Sequence, residues 1–464
     1  MTNRQAWRVW GGATVLACLL VNPYVRGDGN GYYAWLVSPV VDGDLDFTNQ
    51  FRRADPLFQQ LVFADDGIVR PEAITPVGRV GNQWSVGPAV LWAPWFLAAH
   101  LGVTGARLLG ATLPADGYSW PYLWTVAMGT VVYGMLALWL SVRTATHLGY
   151  GRSAGLAAIA IGLASSLPVY QVFLPFHVHA LAACAVAAFV MWGVTQHDSS
   201  RLGHWAVWGA LAGLMVQVYQ LNGVFALAAM WVWAATLGRD GVVMALRHGV
   251  AFTAAAVLVG VPQLLGKAIV YGTPLTTGYQ DTFAWSEPRL WHTAFSANHG
   301  WVVWTPVVAV ALVGLVRAWG AHGSLRPWML SSGAFYLVVA SYQNWHGQSS
   351  FGNRFFVSLS VFLVVGVAVC LDWCRTRGVG AWRLAGAGLA VLIVWNAGFA
   401  FQWGTNIIPN RGPVSFREVA VNQITVVPAR VSQFLGRYVT DRRSVQDDVE
   451  REDVPERRDY RVVR

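Results

Sequence analysis

The sequence predicts an all-α, polytopic membrane protein with about eleven transmembrane helices and a large first outer loop that carries interfacial helices. Two features of composition support this fold class. Hydrophobic residues make up 55% of the 464 residues and charged residues only 12%, whereas a soluble domain carries roughly twice that charged fraction. The mean hydropathy is +0.43. The third observation is the recurrence of apolar runs of about 20 residues, the length that crosses a bilayer.

Eleven apolar runs are predicted to span the membrane. The first covers about residues 6–23. The others, in chain order, are 118–142, 153–169, 176–196, 204–219, 220–237, 249–271, 299–317, 328–343, 355–374 and 383–403. Residues 1–403 thus form one transmembrane domain with 24–117 as its first outer loop, followed by an outer C-terminal segment, 404–440. The tail, 441–464, has eight acidic and seven basic residues, and we predict that it is disordered because it cannot bury a core.

The arginines orient these spans. The short connections on one side carry ten arginines against two acidic residues, Asp198 and Asp240, while the 24–117 loop holds nine acidic residues against six arginines. The ten are Arg143, Arg152, Arg201, Arg239, Arg247, Arg317, Arg326, Arg375, Arg377 and Arg383. Positive residues favour the cytoplasmic side. We therefore predict a cytoplasmic N-terminus, an outer first loop and an outer C-terminus.

The 85–104 segment is apolar enough to be counted as a twelfth span. Counting it would invert every later loop and place the arginines outside. It also contains Pro88, Pro94 and His100 together with three aromatic residues, and Trp and Phe favour the membrane interface. We predict an interfacial helix here, and a twelfth span remains the alternative.

Missing sequence patterns argue against ATP-driven transport and against nucleotide cofactors. The sequence has no phosphate-binding loop with Lys-Ser/Thr, no dinucleotide fingerprint, no Cys/His zinc spacing and no Gly-x-Ser-x-Gly elbow. Its basic residues are dispersed between apolar runs, which argues against a nucleic-acid surface despite the net charge of +9. The four cysteines lie in or beside apolar runs, so free thiols are expected.

The leading catalytic candidate is Asp28, which follows the first span in Gly27-Asp28-Gly29 and precedes Tyr32-Tyr33. A carboxylate at the membrane boundary is an expensive arrangement. Partly desolvated by aromatic neighbours, it could accept a proton as a general base. The alternative is that it caps a turn.

Asp42, Asp44 and Asp46 alternate farther along the same loop. Oxygen ligands at this spacing can hold a divalent cation, but acidic loops are more often solvated. We predict no cofactor and no metal site, leave a divalent cation open as the weaker alternative, and take Asp44 as a candidate for hydrogen bonding to substrate.

Polar side chains also collect at the outer ends of later spans, which indicates a cavity that opens outward. Lys267 and Arg354 are the cations best placed to bind a lipid phosphate, Arg354 through its bidentate fork. Snorkelling of Lys267 and interfacial anchoring by Arg354 are the structural alternatives. His177 and His346 are candidates for substrate binding, against the default of packed histidines.

Together these motifs resemble the membrane-embedded glycosyltransferases of the GT-C fold, near the bacterial families related to protein O-mannosyltransferases and aminoarabinose transferases. The similarity lies in Gly27-Asp28-Gly29, in the proline-bearing apolar helix of the first loop, in Asp116-Gly-Tyr-Ser119, and in Trp345-His-Gly347 followed by Gly352-Asn-Arg354. It covers about 400 residues as an architecture. In two places the sequence departs from the family pattern: it has Val86-Gly-Pro88 in place of a Lys-Pro-Pro-Leu segment, and Asp28-Gly29 in place of an Asp-Glu pair.

The resemblance implies inverting transfer of one sugar from a polyprenyl-phosphate donor to a glycan, lipid or protein acceptor on the outer face of the bacterial inner membrane. By this likeness Asp28 is the catalytic base and Arg354 and Lys267 hold the donor phosphate. Tyr33 and Asp116, which belong to the similar motifs, are further candidates for substrate binding. Three alternatives remain: a transporter or flippase of a lipid-linked saccharide, a glycan polymerase or ligase, and a non-catalytic assembly factor.

Overall fold

A computed structural model describes residues 3–449 of the chain, apart from 197 and 281. In this part of the chain the regular structure is helical, with three isolated β-bridges and no strand. Helix α1 (Asn3–Leu20) leads to four helices of the first loop. These are α2 (Asp28–Val37), α3 (Thr48–Arg52), α4 (Pro56–Val62) and α5 (Gly87–Leu108).

A bundle of twelve helices, most of them long, follows the first loop. Its members are α6 (Trp120–Ala145), α7 (Gly151–Ala164), α8 (His179–Gln196), α9 (Leu202–Val218), α10 (Ala226–Asp240), α11 (Val242–Tyr271), α12 (Leu290–Phe295), α13 (Trp301–Trp304), α14 (Val307–Ala321), α15 (Arg326–Ser341), α16 (Ser360–Thr376) and α17 (Val379–Gly404). Two further helices, α18 (Phe416–Thr425) and α19 (Val427–Thr440), come after the bundle.

Each of the eleven predicted spans coincides with helical structure. Among the described residues, seven helical stretches are long and apolar enough to cross a membrane, and one of them, Trp120–Ala164, contains both α6 and α7. Three shorter apolar helices accompany them, within α1, α9 and α14. The helical membrane fold is therefore confirmed, while the number eleven stays a prediction.

The centre of the bundle is α16, in which every residue from Ser360 to Leu371 is buried. It packs against α6, α7, α8, α14 and α17. At the crossing with α14 the backbones touch, because a Cβ at Gly314 would lie 1.8 Å from the Gly366 carbonyl oxygen. Arg354 lies in the helical turn that leads into α16, so the most buried helix fixes its position.

Helix α5 is among the stretches long enough to span a membrane. It packs on α2, α6 and α9. The Trp92 indole donates to Thr130 Oγ1 at 2.8 Å, and Tyr133 donates to the Leu91 carbonyl at 2.8 Å. With Phe96 on Tyr122, these contacts run antiparallel along α6, as in two neighbouring spans. The interfacial helix stays a prediction, with a twelfth span as the alternative.

The C-terminal helices fold back onto the bundle. Gln423 of α18 donates to the Trp395 carbonyl of α17, and Tyr438 of α19 donates to the Leu20 carbonyl at the end of α1. Residues 442–449 continue in helical conformation, and Arg442 donates to the carbonyls of Leu19 and Val21. This part of the tail is docked, in contrast to the disorder predicted from 441 onward. Residues 450–464 lie outside the described part of the chain.

Candidate active site

Asp28 begins α2 in a turn that a second aspartate holds in place. Gly27 has φ 52°, a left-handed conformation suited to glycine. Asp55 accepts hydrogen bonds from the Gly27 backbone N–H and from Asn30 Nδ2, both at 2.8 Å. Gly29 packs so closely that a Cβ there would lie 2.9 Å from Phe176. The conformation of the Asp28 turn is therefore fixed from both sides.

Arg354 is the partner of Asp28. Its Nη1 lies 2.8 Å from Asp28 Oδ2, in an ion pair whose side chains are 15% and 32% exposed, respectively. The Trp84 indole lies beside the same carboxylate, and its N–H helps to lower the pKa of Asp28. The Nε of Arg354 is buried and has no hydrogen-bond partner among the described residues. The guanidinium thus has an unused donor beside the carboxylate.

The charges at this site determine its protonation. Burial by itself would raise the pKa of Asp28, but Arg354, with smaller contributions from His177 and Trp84, holds that pKa below its ordinary value. Burial lowers the pKa of His177 to about 4, although Asp28 opposes this shift. At neutral pH the site therefore has an ionised carboxylate beside a neutral imidazole, whose Nδ1 has no described hydrogen-bond partner.

Buried tyrosines and histidines surround the ion pair. Tyr170 accepts a hydrogen bond from the Phe351 N–H at 3.0 Å, and burial raises its pKa to about 12. Burial also raises the pKa of Tyr219 and Tyr279, so all three remain neutral donors at physiological pH. His346 lies close by, and burial lowers its pKa as well.

A cavity of about 1310 Å³ opens beside the ion pair. At one end it is polar, and Asp28, Arg354, His177 and Asp55 line it there. Another part of the wall is apolar and comes from α17 and α19, although polar residues such as Asn396, Asn410 and Arg442 also line the cavity. These apolar residues include Ile393, Val394, Ala397, Phe401, Val431, Phe434 and Leu435. The cavity therefore suits a molecule with one charged or polar end and a long hydrocarbon part.

Of the predicted site residues, the structure brings Asp28, Arg354 and His177 together in this cavity. Tyr33, Asp44 and Asp116 lie outside its lining. Tyr33 is fully buried and donates to the Gly117 carbonyl. Asp44 accepts from Ser38 Oγ, and Asp116 pairs with Arg53 at 2.8 Å. These contacts hold the first loop together and give the three residues structural partners.

Lys267 is also absent from the cavity wall. It is fully buried, and its Nζ donates to the carbonyls of Asn82 at 2.8 Å and Gln83 at 3.0 Å. His346 lies in the loop before Arg354, and its Nδ1 accepts from the Gln348 N–H at 3.0 Å. The structure therefore does not bring Lys267 to the phosphate position expected from the sequence.

Among the described residues, three or more His, Cys, Asp or Glu side chains nowhere group closely enough to hold a metal ion. The expectation of no cofactor stays a prediction. Asp42, one of the alternating aspartates, accepts hydrogen bonds from the side chains of Asn49 and Gln50. Asp46 caps Thr48 at 3.0 Å. These aspartates act as hydrogen-bond acceptors for the loop.

Two important residues were not expected from the sequence. Asp55 precedes Pro56 and caps α4 through the Phe58 N–H, a pattern visible in the sequence. Its second role, the hold on the Asp28 turn, depends on tertiary contact. Trp84, one of 25 tryptophans, carries no local signal that separates it from the others.

Comparison with known proteins identifies the fold. Neither a family model nor a curated protein matches the sequence. Among solved structures, the chain is similar to ArnT from Cupriavidus metallidurans, crystallised bound to undecaprenyl phosphate. The TM-score is 0.50 with 16% sequence identity, over 97% of this chain and 74% of the ArnT chain. The predicted GT-C fold is confirmed, and the chain is a multi-pass membrane protein of this fold.

The electrostatic account of the site makes a prediction for Arg354→Gln. Loss of the guanidinium removes the main influence that lowers the pKa of Asp28, so that pKa rises. Dicyclohexylcarbodiimide reacts with protonated carboxyl groups in apolar sites. Mass spectrometry should therefore find Asp28 labelled up to a higher pH in the variant than in the wild type.

Arg70→Gln is the matched control, because Arg70 lines the same cavity but donates to the Gln60 and Phe63 carbonyls. Its labelling profile should equal that of the wild type. An Arg354→Gln profile that also equals the wild type would contradict the pairing.

Proposed function

We propose that this protein is a membrane glycosyltransferase that moves a single sugar from a polyprenyl-phosphate donor to an acceptor on the outer face of the bacterial inner membrane. The observation that carries the proposal is the ion pair of Asp28 and Arg354 in a cavity of about 1310 Å³ that has an extensive apolar wall. A polyprenyl chain fits the apolar wall, and its phosphate reaches the guanidinium. The fold shared with ArnT, which was crystallised with undecaprenyl phosphate, supports the same donor class.

In this proposal the phosphate binds to Arg354. A guanidinium and a phosphate form strong bidentate hydrogen bonds, and the unpartnered Nε offers a donor that the pairing of Nη1 with Asp28 leaves unused. The phosphate and the Asp28 carboxylate then share the single positive charge of this guanidinium. The bound donor therefore weakens the hold of Arg354 on Asp28.

Asp28 then acts as the general base. Its pKa is held below the ordinary value in the ion pair, so the carboxylate is ionised and can accept a proton when the donor arrives. It takes the proton of the acceptor hydroxyl or amine, whose heavy atom attacks the anomeric carbon. The bond from that carbon to the phosphate oxygen breaks, and its electron pair leaves with the polyprenyl phosphate, which Arg354 stabilises. Attack opposite the leaving group inverts the anomeric centre.

His177 contributes to sugar binding. Its ring bonds to the Arg26 backbone, while Nδ1 is buried and unpartnered among the described residues. With the neutral ring expected from its lowered pKa, Nδ1 can accept a hydrogen bond from a sugar hydroxyl. No group in this scheme requires a nucleotide, because the donor arrives by diffusion within the membrane.

Orientation follows the same scheme. We propose that the N-terminus is cytoplasmic and that the cavity faces outward, since the arginine-rich connections lie at the opposite end of the helices. The acceptor then meets the donor outside the cytoplasm.

Asp28→Asn tests the assignment of the base. Removing a general base slows a reaction by about 100- to 10,000-fold, so sugar transfer should fall by that factor while the protein still purifies as a folded species. The measurement is the transfer rate from radiolabelled polyprenyl-phosphate hexoses and pentoses in proteoliposomes. Asp66→Asn is the control, because Asp66 only caps an exposed turn at Ile68. Wild-type rates in Asp28→Asn would rule out Asp28 as base.

Ala397→Trp tests the route of the lipid chain. Ala397 lines the apolar part of the cavity on α17, so an indole there occupies space for the polyprenyl tail. The Kd for undecaprenyl phosphate should rise about tenfold, the equivalent of roughly two methylene groups that lose their burial. Val391→Trp, on the same helix at a position 67% exposed and outside the cavity, should leave the Kd unchanged. Equal Kd values for the two variants would exclude this route.

A further inference from the structure

Lys267 is the one lysine of the chain, and its surroundings differ from those of a ligand-binding cation. It lies near the end of α11, fully buried, and its Nζ donates hydrogen bonds to two backbone carbonyls in the first loop. Its Nζ also lies 5.7 Å from the centre of the Trp35 ring and 5.0 Å from that of the Tyr271 ring. Such contacts between a cation and aromatic rings are favourable when desolvated. Every one of these contacts is internal to the protein.

The carbonyls that Lys267 binds belong to the 82–84 segment, which other bonds join to α2. Asn82 Nδ2 donates to the Gly31 carbonyl at 2.9 Å, and the Trp35 indole donates to the Trp84 carbonyl at 2.9 Å. Lys267 therefore connects α11 to this segment from one side, while α2 holds it from the other.

Trp84 occupies a closely fitted position at the end of this segment. Its ring packs directly on Gly31, where a Cβ would lie 2.0 Å from the indole. Gly31 lies one turn along α2 from Asp28, and from that position the Trp84 N–H helps to lower the pKa of the Asp28 carboxylate. An interaction of this kind tolerates little displacement. A small shift of the 82–84 backbone would consequently move the indole N–H away from Asp28.

We infer that Lys267 is a positioning residue: it anchors the 82–84 backbone so that the Trp84 indole stays beside the Asp28 carboxylate. The inference rests on the proposed function, since it gives Asp28 the role of base. Lys267 then supports the general base, Asp28, and Arg354 binds the donor phosphate. Trp84 becomes the contact through which Lys267 acts.

Loss of Lys267 then has a specific signature. Without the Trp84 N–H beside it, the ionised form of Asp28 loses a stabilising donor, and the pKa of Asp28 rises. The other titratable groups that face Asp28 stay in place. They are Arg354, His177, Tyr32, Tyr170, Tyr219 and Tyr279. Arg354 is among them, so the affinity for a lipid phosphate should hardly change.

The test compares Lys267→Met with Trp84→Phe, which keeps an aromatic ring but removes the N–H. Two measurements are made on each purified protein: the pH dependence of Asp28 labelling by dicyclohexylcarbodiimide, and the Kd for undecaprenyl phosphate. In both variants labelling should extend to higher pH, and the Kd should stay within about twofold of the wild type. The transfer rate of each should fall about tenfold or more. Tyr271→Phe, which keeps the ring near Nζ, should match the wild type.

Two results would overturn the inference. One is an unchanged labelling profile in Trp84→Phe, a result that does not depend on whether Lys267→Met folds. The other is an unchanged profile in Lys267→Met together with a Kd raised about tenfold or more, which would make Lys267 a phosphate ligand. Labelling reports on Asp28 without any transfer assay. A shifted profile in a protein that transfers no sugar would therefore contradict the proposed function and leave the positioning role of Lys267 standing.

Discussion

The ion pair of Asp28 and Arg354 joins the two parts of the molecule. Asp28 belongs to α2 in the first loop, and Arg354 leads into α16, the most buried helix. Two charges removed from water need each other as partners, and loss of one leaves the other buried without a compensating charge. The pair therefore fixes the first loop on the bundle. It also keeps a carboxylate ionised at the boundary of an apolar cavity.

The lining of the cavity beside this ion pair indicates which class of donor it can bind. Its polar end holds the carboxylate, the guanidinium and a neutral imidazole, while α17 and α19 supply hydrocarbon-lined walls. A sugar nucleotide has no hydrocarbon chain that could contact such walls. A lipid-linked sugar has both a hydrocarbon chain and a polar head, and so matches both parts of the cavity. The C-terminal helices complete the wall and are tied to α1 by Tyr438 and Arg442. The C-terminal helices thus form part of the wall that would contact a lipid.

Much of the fold followed from the sequence because apolar length and arginine placement are local patterns. The helix positions, Asp28 as the first acidic residue after α1, and Arg354 as a candidate phosphate-binding charge before α16 were all predictable from the sequence. The direct contact between Asp28 and Arg354 was not predictable, because it depends on how segments far apart in the sequence pack together. Lys267 shows the same limit: its position near a helix end resembles that of a phosphate ligand, yet its Nζ turns to the 82–84 carbonyls. Asp55 and Trp84 act through tertiary contacts that no local pattern encodes.

Competition between Asp28 and the donor phosphate for the charge of Arg354 is the central claim, and lipid binding tests it most directly. The measurement is the Kd for undecaprenyl phosphate in Asp28→Asn and Arg354→Gln, with undecaprenol, which lacks the phosphate, as the reference ligand. Competition predicts tighter binding to Asp28→Asn than to the wild type, and binding weaker by about 2–5 kcal/mol in Arg354→Gln, with undecaprenol affected by neither change. Weaker phosphate binding in Asp28→Asn, or unchanged binding in Arg354→Gln, would contradict it.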